Sequence, residues 1–503
     1  MGKKVIIVGA GPGGLASSMM LSSKGFDVDI YEKQSYIGGR TSSFNLKEEF
    51  KFDLGPTFLM MDFILEELFE ECGLEIKEFL DVVEVDPMYR LVLPSGKEFF
   101  PSRNPIKMKK EIEENFKGSY KSYLKFMESE KDKLDHLLPC LQVPYDSYAD
   151  LTKPRFIKAI PYLDVNVSVY DVLKRYFDDE ELALSFTFQA KYLGMSPWTC
   201  PGGFSIIPYI EHKYGIHHTT GGLNEITKAF AKASESMGTK IHLSKEVKEV
   251  VVRDGKARGV LLADGRFMES DYVIINADFA HAMTNIIKEQ DNKKYTKEKM
   301  DNKKYSCSTY MIYLALDKIY DQFPHHNIIF AKDYKKNLTE ISDSMVLSED
   351  PSVYVQNPSV TDSTVAPEGM SALYILVPVP NNKSEIIWDD IKDSFRGKIL
   401  DIVEDKGGFV NLRDHILEEK VITPHDWENE KDVYNGATFN LSHSVDQLLV
   451  FRPHNKHEQF DRCYIVGGGT HPGSGLPTIF ESARISSRMI IGKEKIKSKV
   501  KKK

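Results

Sequence analysis

The chain has 503 residues, more than one ordinary domain holds, so we expect two or three domains. Its apolar fraction of 41% and charged fraction of 28% are those of a globular protein, which excludes wholesale disorder, a collagen-like repeat and a disulfide-rich miniature scaffold. The net charge of −8 argues against nucleic-acid binding, and five scattered cysteines without a CxxC pair argue against a disulfide framework or a zinc site.

The hydrophobic segments of the chain are all short. The amino-terminal apolar run is too short for a signal peptide, and Ile6 stands where N-myristoylation requires Ser or Thr. No apolar run approaches the roughly 18 residues that a membrane-spanning helix needs. We therefore expect a cytoplasmic protein that meets a membrane, if at all, from its surface.

The chain begins with a strand, a glycine-rich turn, a helix and a second strand. Residues 5–8 form a continuous apolar run, typical of a strand buried on both faces of a parallel sheet, and residues 28–31 form the next strand. Between the first strand and the helix, Gly9, Gly11 and Gly14 satisfy the pattern GxGxxG. This order predicts a βαβ unit.

The glycine-rich turn has the features of a dinucleotide site. Gly9 permits the tight turn, Gly11 lets the backbone approach a pyrophosphate, and Gly14 lets the helix pack closely on the strand. The helix N-terminus attracts phosphates. Glu32, at the end of the second strand, can accept hydrogen bonds from ribose hydroxyls and repels a 2′-phosphate, so NADP is disfavoured. A tight turn without a ligand would explain the glycines, but it would not explain an acidic residue at the end of the second strand.

A second glycine-rich stretch follows Glu32. Gly39 allows close backbone approach, and Arg40 can place a cation beside a pyrophosphate, although a surface salt bridge would also explain it. Residues 52–56 continue this stretch with Gly55 and Pro56. The extension resembles the pattern of FAD-binding oxidoreductases related to amine oxidases, which implies FAD rather than NAD.

A third glycine-rich turn lies near the carboxyl terminus. In residues 464–477 an apolar strand leads into consecutive glycines, and a helix is predicted over about residues 478–491. The N-terminus of such a helix can stabilise negative charge on the ring of a reduced flavin. A glycine-rich turn without a ligand is the alternative.

The middle of the chain alternates in character. Charged helical patterns dominate from about residue 106 to 188, hairpin signals occupy residues 250–275, and strands are predicted at residues 310–316 and 372–379. Since the nucleotide-binding patterns lie at both ends and in the middle, we predict an α/β fold in which both domains are discontinuous. They are a Rossmann-like FAD-binding domain (residues 1–105, 215–300 and 433–503) and a mixed α+β substrate-binding domain (residues 106–214 and 301–432).

The carboxyl-terminal turn resembles the signature of the bacterial-type carotenoid desaturases, the phytoene and diapophytoene desaturases. The similarity extends over nearly the whole chain through residues 324–326, 358–362, 366–369 and 451–455. It departs at residues 217–220, where relatives commonly show an aromatic residue and a Pro-Arg or Pro-Glu pair. This departure leaves the substrate length and the exact reaction open.

The resemblance implies an FAD-dependent enzyme that introduces double bonds into a linear carotenoid precursor. Such an enzyme takes its isoprenoid at the inner face of the cell membrane as a peripheral protein and passes electrons to a quinone or oxygen. A carotenoid isomerase, a saturase and a terminal-methyl oxygenase are alternatives on the same scaffold. A non-catalytic prenyl-lipid escort is an alternative of another class, against which the intact glycine turn and Glu32 argue.

The expected cofactor contacts come from the three glycine-rich turns and from one valine that the resemblance adds. They are Gly9, Gly11, Pro12, Gly13, Gly14, Glu32, Lys33, Gly39, Arg40, Gly55, Pro56, Val247, Gly468, Gly469, Thr470, Gly475, Leu476 and Pro477. We assign no metal ligand and no catalytic side chain. His217 and His218 could face the flavin or be ordinary polar residues.

Two segments are candidates for contact with a membrane. Residues 153–163 mix cations with apolar and aromatic side chains, which suits an interfacial segment and a packed inter-domain helix equally. The basic tail, residues 495–503, could attract anionic lipid or be a solvated terminus.

Overall fold

The computed structural model describes residues 2–288 and 290–500, with the backbone alone for residues 496–500. Its strands are β1 Lys4–Val8, β2 Asp27–Tyr31, β3 Ser43–Leu46, β4 Phe50–Asp53, β5 Val82–Glu84, β6 Arg90–Val92, β7 Glu98–Phe99, β8 His217–Thr219, β9 Lys240–His242, β10 Val247–Arg253, β11 Lys256–Leu262, β12 Phe267–Glu269, β13 Tyr272–Ile275, β14 Ser308–Leu316, β15 His326–Ile329, β16 Val353–Gln356, β17 Ser371–Val379, β18 Ile416–Ile422 and β19 Cys463–Ile465.

The α-helices range from single turns to 25 residues. They are α1 Pro12–Ser22, α2 Asp62–Glu71, α3 Pro105–Asn115, α4 Tyr120–Leu141, α5 Pro154–Ala159, α6 Val169–Lys174, α7 Glu180–Ser185, α8 Ile206–Tyr214, α9 Asn224–Ser236, α10 Phe279–His281, α11 Lys297–Asp301, α12 Tyr334–Thr339, α13 Trp388–Asp405, α14 Pro424–Asn429 and α15 Leu476–Val500.

A five-stranded parallel sheet brings the two ends of the chain together. Its order is β19-β13-β1-β2-β9, so the first and the last strand of the chain share one sheet. The last four residues of β1 are buried, as their continuous apolar character predicts for a strand covered on both faces. α1 packs against α9 and α15. The predicted strand–helix–strand unit is confirmed.

The hairpin signals after residue 250 correspond to a small antiparallel sheet. β10, β11 and β12 pair in sequence, and Asp254 and Gly255 at the first turn have φ of +51° and +65°. These left-handed conformations are those that a tight hairpin turn requires. β10 begins at Val247, two residues after Lys245. The amide of Lys245 donates to the carbonyl of Glu32, and this hydrogen bond ties the start of the small sheet to the end of β2.

A seven-stranded sheet forms the second layer. Its order is β18-β14-β17-β16-β15-β6-β7, and buried α13 side chains join its core. β6 and β7 come from residues 90–99, which the predicted boundary at residue 105 assigned to the cofactor domain. β6 pairs with β15, which lies far away in the sequence, so no local pattern in residues 90–99 could indicate this pairing.

The helical character of residues 106–188 is confirmed by α3 to α7. α15 starts at Leu476, two residues earlier than predicted, and runs to Val500. The last three residues of the basic tail, 501–503, lie outside the described residues. In the described part of the chain, no helix combines the length and the apolar character that crossing a membrane requires. Nor do residues 2–288 and 290–500 bring together three His, Cys, Asp or Glu side chains as metal ligands would.

Candidate cofactor and substrate site

One large cavity, of about 730 Å³, lies between the carboxyl ends of the parallel strands and the seven-stranded sheet. The residues that follow β1, β2, β13 and β19 all contribute to its wall, as expected at the carboxyl edge of an open parallel sheet. Most of the predicted cofactor residues line it: Gly9, Gly11, Pro12, Glu32, Lys33, Gly39, Arg40, Gly55, Pro56, Val247, Gly468, Gly475, Leu476 and Pro477.

The turn between β1 and α1 presents its backbone to the cavity. Gly9 has φ of +93°, and a Cβ there would lie 2.4 Å from the carbonyl oxygen of Asn276. Gly39 lies next to this turn, since a Cβ on it would be in van der Waals contact with the Cα of Gly11, at 3.5 Å. α1 starts at Pro12, so its first amide groups face the same space.

Gly13 and Gly14 are not among the residues that line the cavity. A Cβ on Gly14 would lie 2.5 Å from the carbonyl oxygen of Gly9, and one on Gly13 would meet Ile479 of α15 at 3.2 Å. Both glycines therefore allow α1 to pack closely, Gly14 on the preceding turn and Gly13 on the last helix. The absence of a side chain at both positions therefore serves packing, and their contact with a cofactor through the backbone stays a prediction.

Glu32 anchors the glycine turn as well as facing the cavity. Its carboxylate accepts hydrogen bonds from the amides of Ala10 and Gln34, each at 2.8 Å. A carboxylate has about four acceptor positions, so two remain for ribose hydroxyls. Lys33 forms an ion pair with Asp432, and this pair joins the two sides of the cavity at its rim.

Arg40 is held from two sides. Its guanidinium donates to the carbonyl of Thr438 at 2.9 Å and lies 4.0 Å from the carboxylate of Asp278. Burial raises the pKa of Asp278, while Arg40 favours its charged form. Arg40 thus lines the cavity with its guanidinium held in place, where it can meet an anionic group.

Gly55 and Pro56 join the cofactor half of the cavity to the large sheet. The carbonyl of Gly55 accepts a hydrogen bond from the hydroxyl of Tyr374 in β17, at 2.7 Å. A Cβ on Gly55 would lie 2.6 Å from the carbonyl oxygen of Arg40. The backbone of this segment is thus fixed against both layers.

The carboxyl-terminal turn divides into two parts. Gly468, Gly475, Leu476 and Pro477 line the cavity, and the N-terminus of α15 opens into it. Gly469 and Thr470, which the resemblance placed near the flavin, are not part of the lining.

The neighbours of Gly469 and Thr470 fill the space around them. A Cβ on Gly469 would lie 2.3 Å from the Cβ of Phe279, and the hydroxyl of Thr470 donates to the carbonyl of Pro453 at 2.6 Å. Arg452, fully buried, donates to the carbonyls of Gly468 at 2.6 Å and Thr470 at 3.1 Å. This part of the turn is held by the protein itself.

Several lining residues were not predicted from the sequence. Asn276 follows β13 and donates to the carbonyl of Gly9 at 3.0 Å, so it fixes the shape of the glycine turn. Its position after a predicted buried strand was a usable signal, since ligands bind at the carboxyl ends of such strands. Asp278, Tyr31 and Ser474 also line the cavity and have no local pattern that would have identified them.

The half of the cavity beside the seven-stranded sheet is mainly apolar and aromatic. Its side chains come from the segment between β4 and α2, from the 3₁₀ helix Phe188–Leu193, from β14 to β17 and from α14. They are Phe58, Phe188, Tyr192, Met311, Ile328, Val353, Tyr354, Tyr374, Leu376 and Trp427. Lys191 is the exception. Burial lowers the pKa of Lys191 to about 7, and its ammonium donates to Ser352.

The two histidines that could have faced a flavin lie elsewhere. His217 and His218 belong to β8 and do not line this cavity. His218 is buried and lies 2.9 Å from the carboxylate of Asp362, and His217 lies 3.6 Å from that of Asp62.

The cofactor half of the cavity fits a dinucleotide. Unpaired amides at the start of α1, close backbone approach at Gly11 and Gly39, the Arg40 cation and the Glu32 carboxylate are the groups that pyrophosphate and ribose require. At the other end the apolar wall and the N-terminus of α15 suit a flavin ring, whose reduced form is negatively charged.

Comparison with known proteins gives a consistent assignment. The family model described as flavin-containing amine oxidoreductase matches residues 12–491. The chain is 47% identical to a 4,4′-diapophytoene desaturase (4,4′-diapolycopene-forming) of a Methylomonas species, over 99% of this chain and 97% of that protein. It is 34% identical to a zeta-carotene-forming phytoene desaturase of Myxococcus xanthus, over 97% and 94%. Its fold is similar to that of an oxidoreductase from Methanosarcina mazei, with a TM-score of 0.63 and 18% identity over 97% and 100% of the two chains.

Proposed function

Because the chain belongs to the carotenoid desaturases of the flavin-containing amine oxidoreductase family, we propose that it converts 4,4′-diapophytoene into 4,4′-diapolycopene. It is an FAD-dependent oxidoreductase that introduces double bonds into a linear carotenoid precursor. The choice of 4,4′-diapophytoene follows the relative with 47% identity, whose name states that substrate and product.

The single observation that carries the proposal is the continuity of the cavity. The same space is lined by the glycine turn after β1, by the start of α15 and by aromatic side chains of the seven-stranded sheet. A long hydrocarbon needs a binding site with apolar walls. It has no polar groups, so it cannot form hydrogen bonds with polar groups of the protein that it would bury. This arrangement supports a polyene laid against a flavin.

We further propose that the predicted residues that line the cavity hold FAD. Glu32 and Val247 would hold the adenosine. The pyrophosphate would be held by the amide of Gly11, the first amides of α1 and Arg40. The flavin would be held by Gly55, Gly468 and Leu476. Bound FAD supplies the hydride acceptor for C–H oxidation. The apolar walls orient the chain of the substrate and exclude water. For each double bond a proton must also leave the substrate.

The decisive experiment is co-expression with a pathway that makes 4,4′-diapophytoene in a pigment-free host. We expect a coloured product with a longer conjugated system in chromatography. A Glu32→Arg variant should yield no colour and purify without flavin, because the arginine replaces the acceptor of the ribose and the partner of the Ala10 amide. A product that is isomerised, saturated or oxygenated instead would contradict the proposal.

We also propose that the protein works at the inner face of the cell membrane and delivers electrons to a quinone or oxygen. Exposed apolar side chains in and beside the predicted interfacial segment support this: Tyr148, Ile157, Ile160, Val165 and Phe451. Ile157 and Ile160 are 53% and 52% exposed. Two cations, Lys153 and Arg155, precede them in the sequence, and Lys158 lies between them. An apolar substrate dissolved in lipid requires such access.

A further inference from the structure

A row of buried polar side chains leads from the substrate half of the cavity, along one face of the seven-stranded sheet, to Asp362. It begins at Tyr354 of β16, which lines the cavity. The Tyr354 hydroxyl lies 2.9 Å from the hydroxyl of Thr57 and 2.7 Å from Nδ1 of His326. His326 is fully buried at the start of β15 and stacks on Phe58 at 4.1 Å between ring centroids.

The row continues through two further histidines. The ring of His325 lies 4.3 Å from that of His326 and 4.7 Å from that of His218, measured between centroids. Gln356 donates to Nε2 of His325 at 3.0 Å. At the far end, Nε2 of His218 lies 2.9 Å from the carboxylate of Asp362. These contacts join segments that the sequence alone left without a role.

Each of the three imidazole rings keeps one nitrogen that has no hydrogen-bond partner among the described residues. They are Nδ1 of His218, Nδ1 of His325 and Nε2 of His326. Buried polar atoms normally find partners, so three unpaired nitrogens in neighbouring rings call for a reason. A neutral imidazole can accept a proton at one nitrogen and release one from the other, as Nδ1 and Nε2 of His326 and of His218 allow. Because Gln356 donates to Nε2 of His325, that ring carries its proton on Nδ1, and in a relay it would give this proton to Nδ1 of His218 and regain one at the same nitrogen from Nε2 of His326.

The outer end of the row has an anion and a small space for water. The Asp362 carboxylate also accepts from the amide of Gly221 at 2.7 Å and from Thr364. Although burial tends to raise the pKa of Asp362, the hydrogen bonds from His218 and Thr364 hold it below its usual range. A cavity of about 10 Å³ adjoins His218 and Gln356, which is about the space of one water molecule.

We propose that Tyr354 and His326 accept the proton that desaturation removes from the substrate, and that His325 and His218 pass it towards Asp362. The inference rests on the function proposed above: bound FAD would supply the acceptor for a hydride from one carbon, and the C–H bond of the neighbouring carbon would break. The electron pair of that second bond becomes the new double bond. The proton goes to the Tyr354 oxygen as the tyrosine's own proton moves to Nδ1 of His326.

Burial favours the neutral forms that this transfer requires. It raises the pKa of Tyr354 well above the usual value, so the hydroxyl is not ionised at rest. It also holds the pKa values of His325 and His326 well below that of an ordinary histidine. A proton that enters the row is therefore not trapped at either ring, and the Asp362 carboxylate attracts it outwards.

The test compares hydroxyl-deleted variants of the holoenzyme with purified 4,4′-diapophytoene in liposomes. Tyr354→Phe should lower kcat about 100-fold or more, as loss of a general base does, with KM nearly unchanged and the FAD content kept. Tyr310→Phe is the matched control, since Tyr310 is a buried tyrosine of the same sheet that does not line the cavity and whose hydroxyl donates to the carbonyl of Lys392. It should keep the wild-type ratio of kcat in H₂O and D₂O, whereas Tyr354→Phe should change that ratio. Equal effects of the two variants on kcat and on the ratio would overturn the proposal.

A second pair of variants tests the outer part of the row. His218→Ala should slow turnover, and added imidazole should restore a measurable part of it by occupying the space of the lost ring. His217→Ala, its neighbour in β8, should show no such rescue. Failure of imidazole to restore a folded, FAD-loaded His218→Ala variant would count against the relay. Inactivity of the wild-type enzyme on 4,4′-diapophytoene in the same assay would instead contradict the proposed function.

Discussion

At the scale of single residues, burial decides the charge of several groups that face the cavity. Lys191 lies in the apolar half, and none of the ion pairs of the described residues includes it. Its neighbours are the hydroxyl of Ser352 and the ring of Tyr334, 4.7 Å away. Neither neighbour compensates fully for the lost hydration of an ammonium group.

The pKa of Lys191 predicts how stability depends on pH. Burial lowers this pKa from 10.5 to about 7, so between these values the unfolded chain binds a proton that the folded protein has lost. Stability should then rise with pH in that window, by up to about 1.4 kcal/mol per pH unit. Lys191→Met should remove this rise, which urea unfolding at pH 7, 8 and 9 would show. Lys121→Met, at an exposed position, should leave the slope unchanged; the same slope in both variants would contradict the prediction.

At the scale of elements, the turn from β1 to α1 depends on the space around its glycines. Gly9 combines a left-handed conformation with a close approach to Asn276, which follows β13. Gly25, after the other end of α1, has φ of +80° but nothing within 4 Å of a Cβ. A side chain at either position would be strained by the backbone conformation, but only a side chain at Gly9 would also clash with Asn276.

Gly9→Ala should cost stability and cofactor. We expect a loss of about 1–3 kcal/mol and much weaker FAD retention, because the added methyl group displaces either the turn or Asn276. Gly25→Ala should cost about 1–2 kcal/mol through its conformation alone and purify with its FAD. The flavin-to-protein absorbance ratio and the unfolding midpoint measure the two effects. Equal flavin loss in both variants would show that the clash at Gly9 is unimportant.

The elements show which predictions a local pattern supports. The βαβ unit, the β10–β11 hairpin and the helices of residues 106–188 were predicted correctly because each depends on periodicity and turn residues within a short stretch. The predicted boundary at residue 105 separates β6 from its partner strand, since β6 pairs in parallel with β15, more than 200 positions away in the chain. The start of α15 was misplaced by two residues, as is usual for helix ends.

At the scale of the whole molecule, residues 148–165 carry several exposed apolar side chains, and Phe451 adds another beside Tyr148. The rings of Tyr148 and Phe451 are 6.1 Å apart, which links the segment to the region that precedes β19. Apolar side chains interspersed with cations are typical of proteins that lie on an anionic membrane.

Membrane binding should depend on these exposed side chains. The double variant Ile157→Glu, Ile160→Glu should float less with anionic liposomes, because it replaces apolar contacts by two like charges. Ile387→Glu, Val410→Glu is the matched control, with two equally exposed apolar residues beside the ends of α13. The control should float as the wild type does. Equal flotation of both double variants would remove residues 153–163 from the proposed membrane contact.

The sequence by itself determined the features that short stretches of chain specify. Glycine spacing, the acid after β2 and the run of glycines before α15 identified a dinucleotide site, since each depends on backbone geometry within one turn. Only the tertiary structure decided which of those residues face the cavity: Gly14 and Thr470 belong to the same motifs but pack inside the protein. It alone joined Thr57 to Tyr354, 297 positions apart, and Tyr354 to the three histidines. Contacts of that kind arise from the register of distant strands, and no local pattern encodes it.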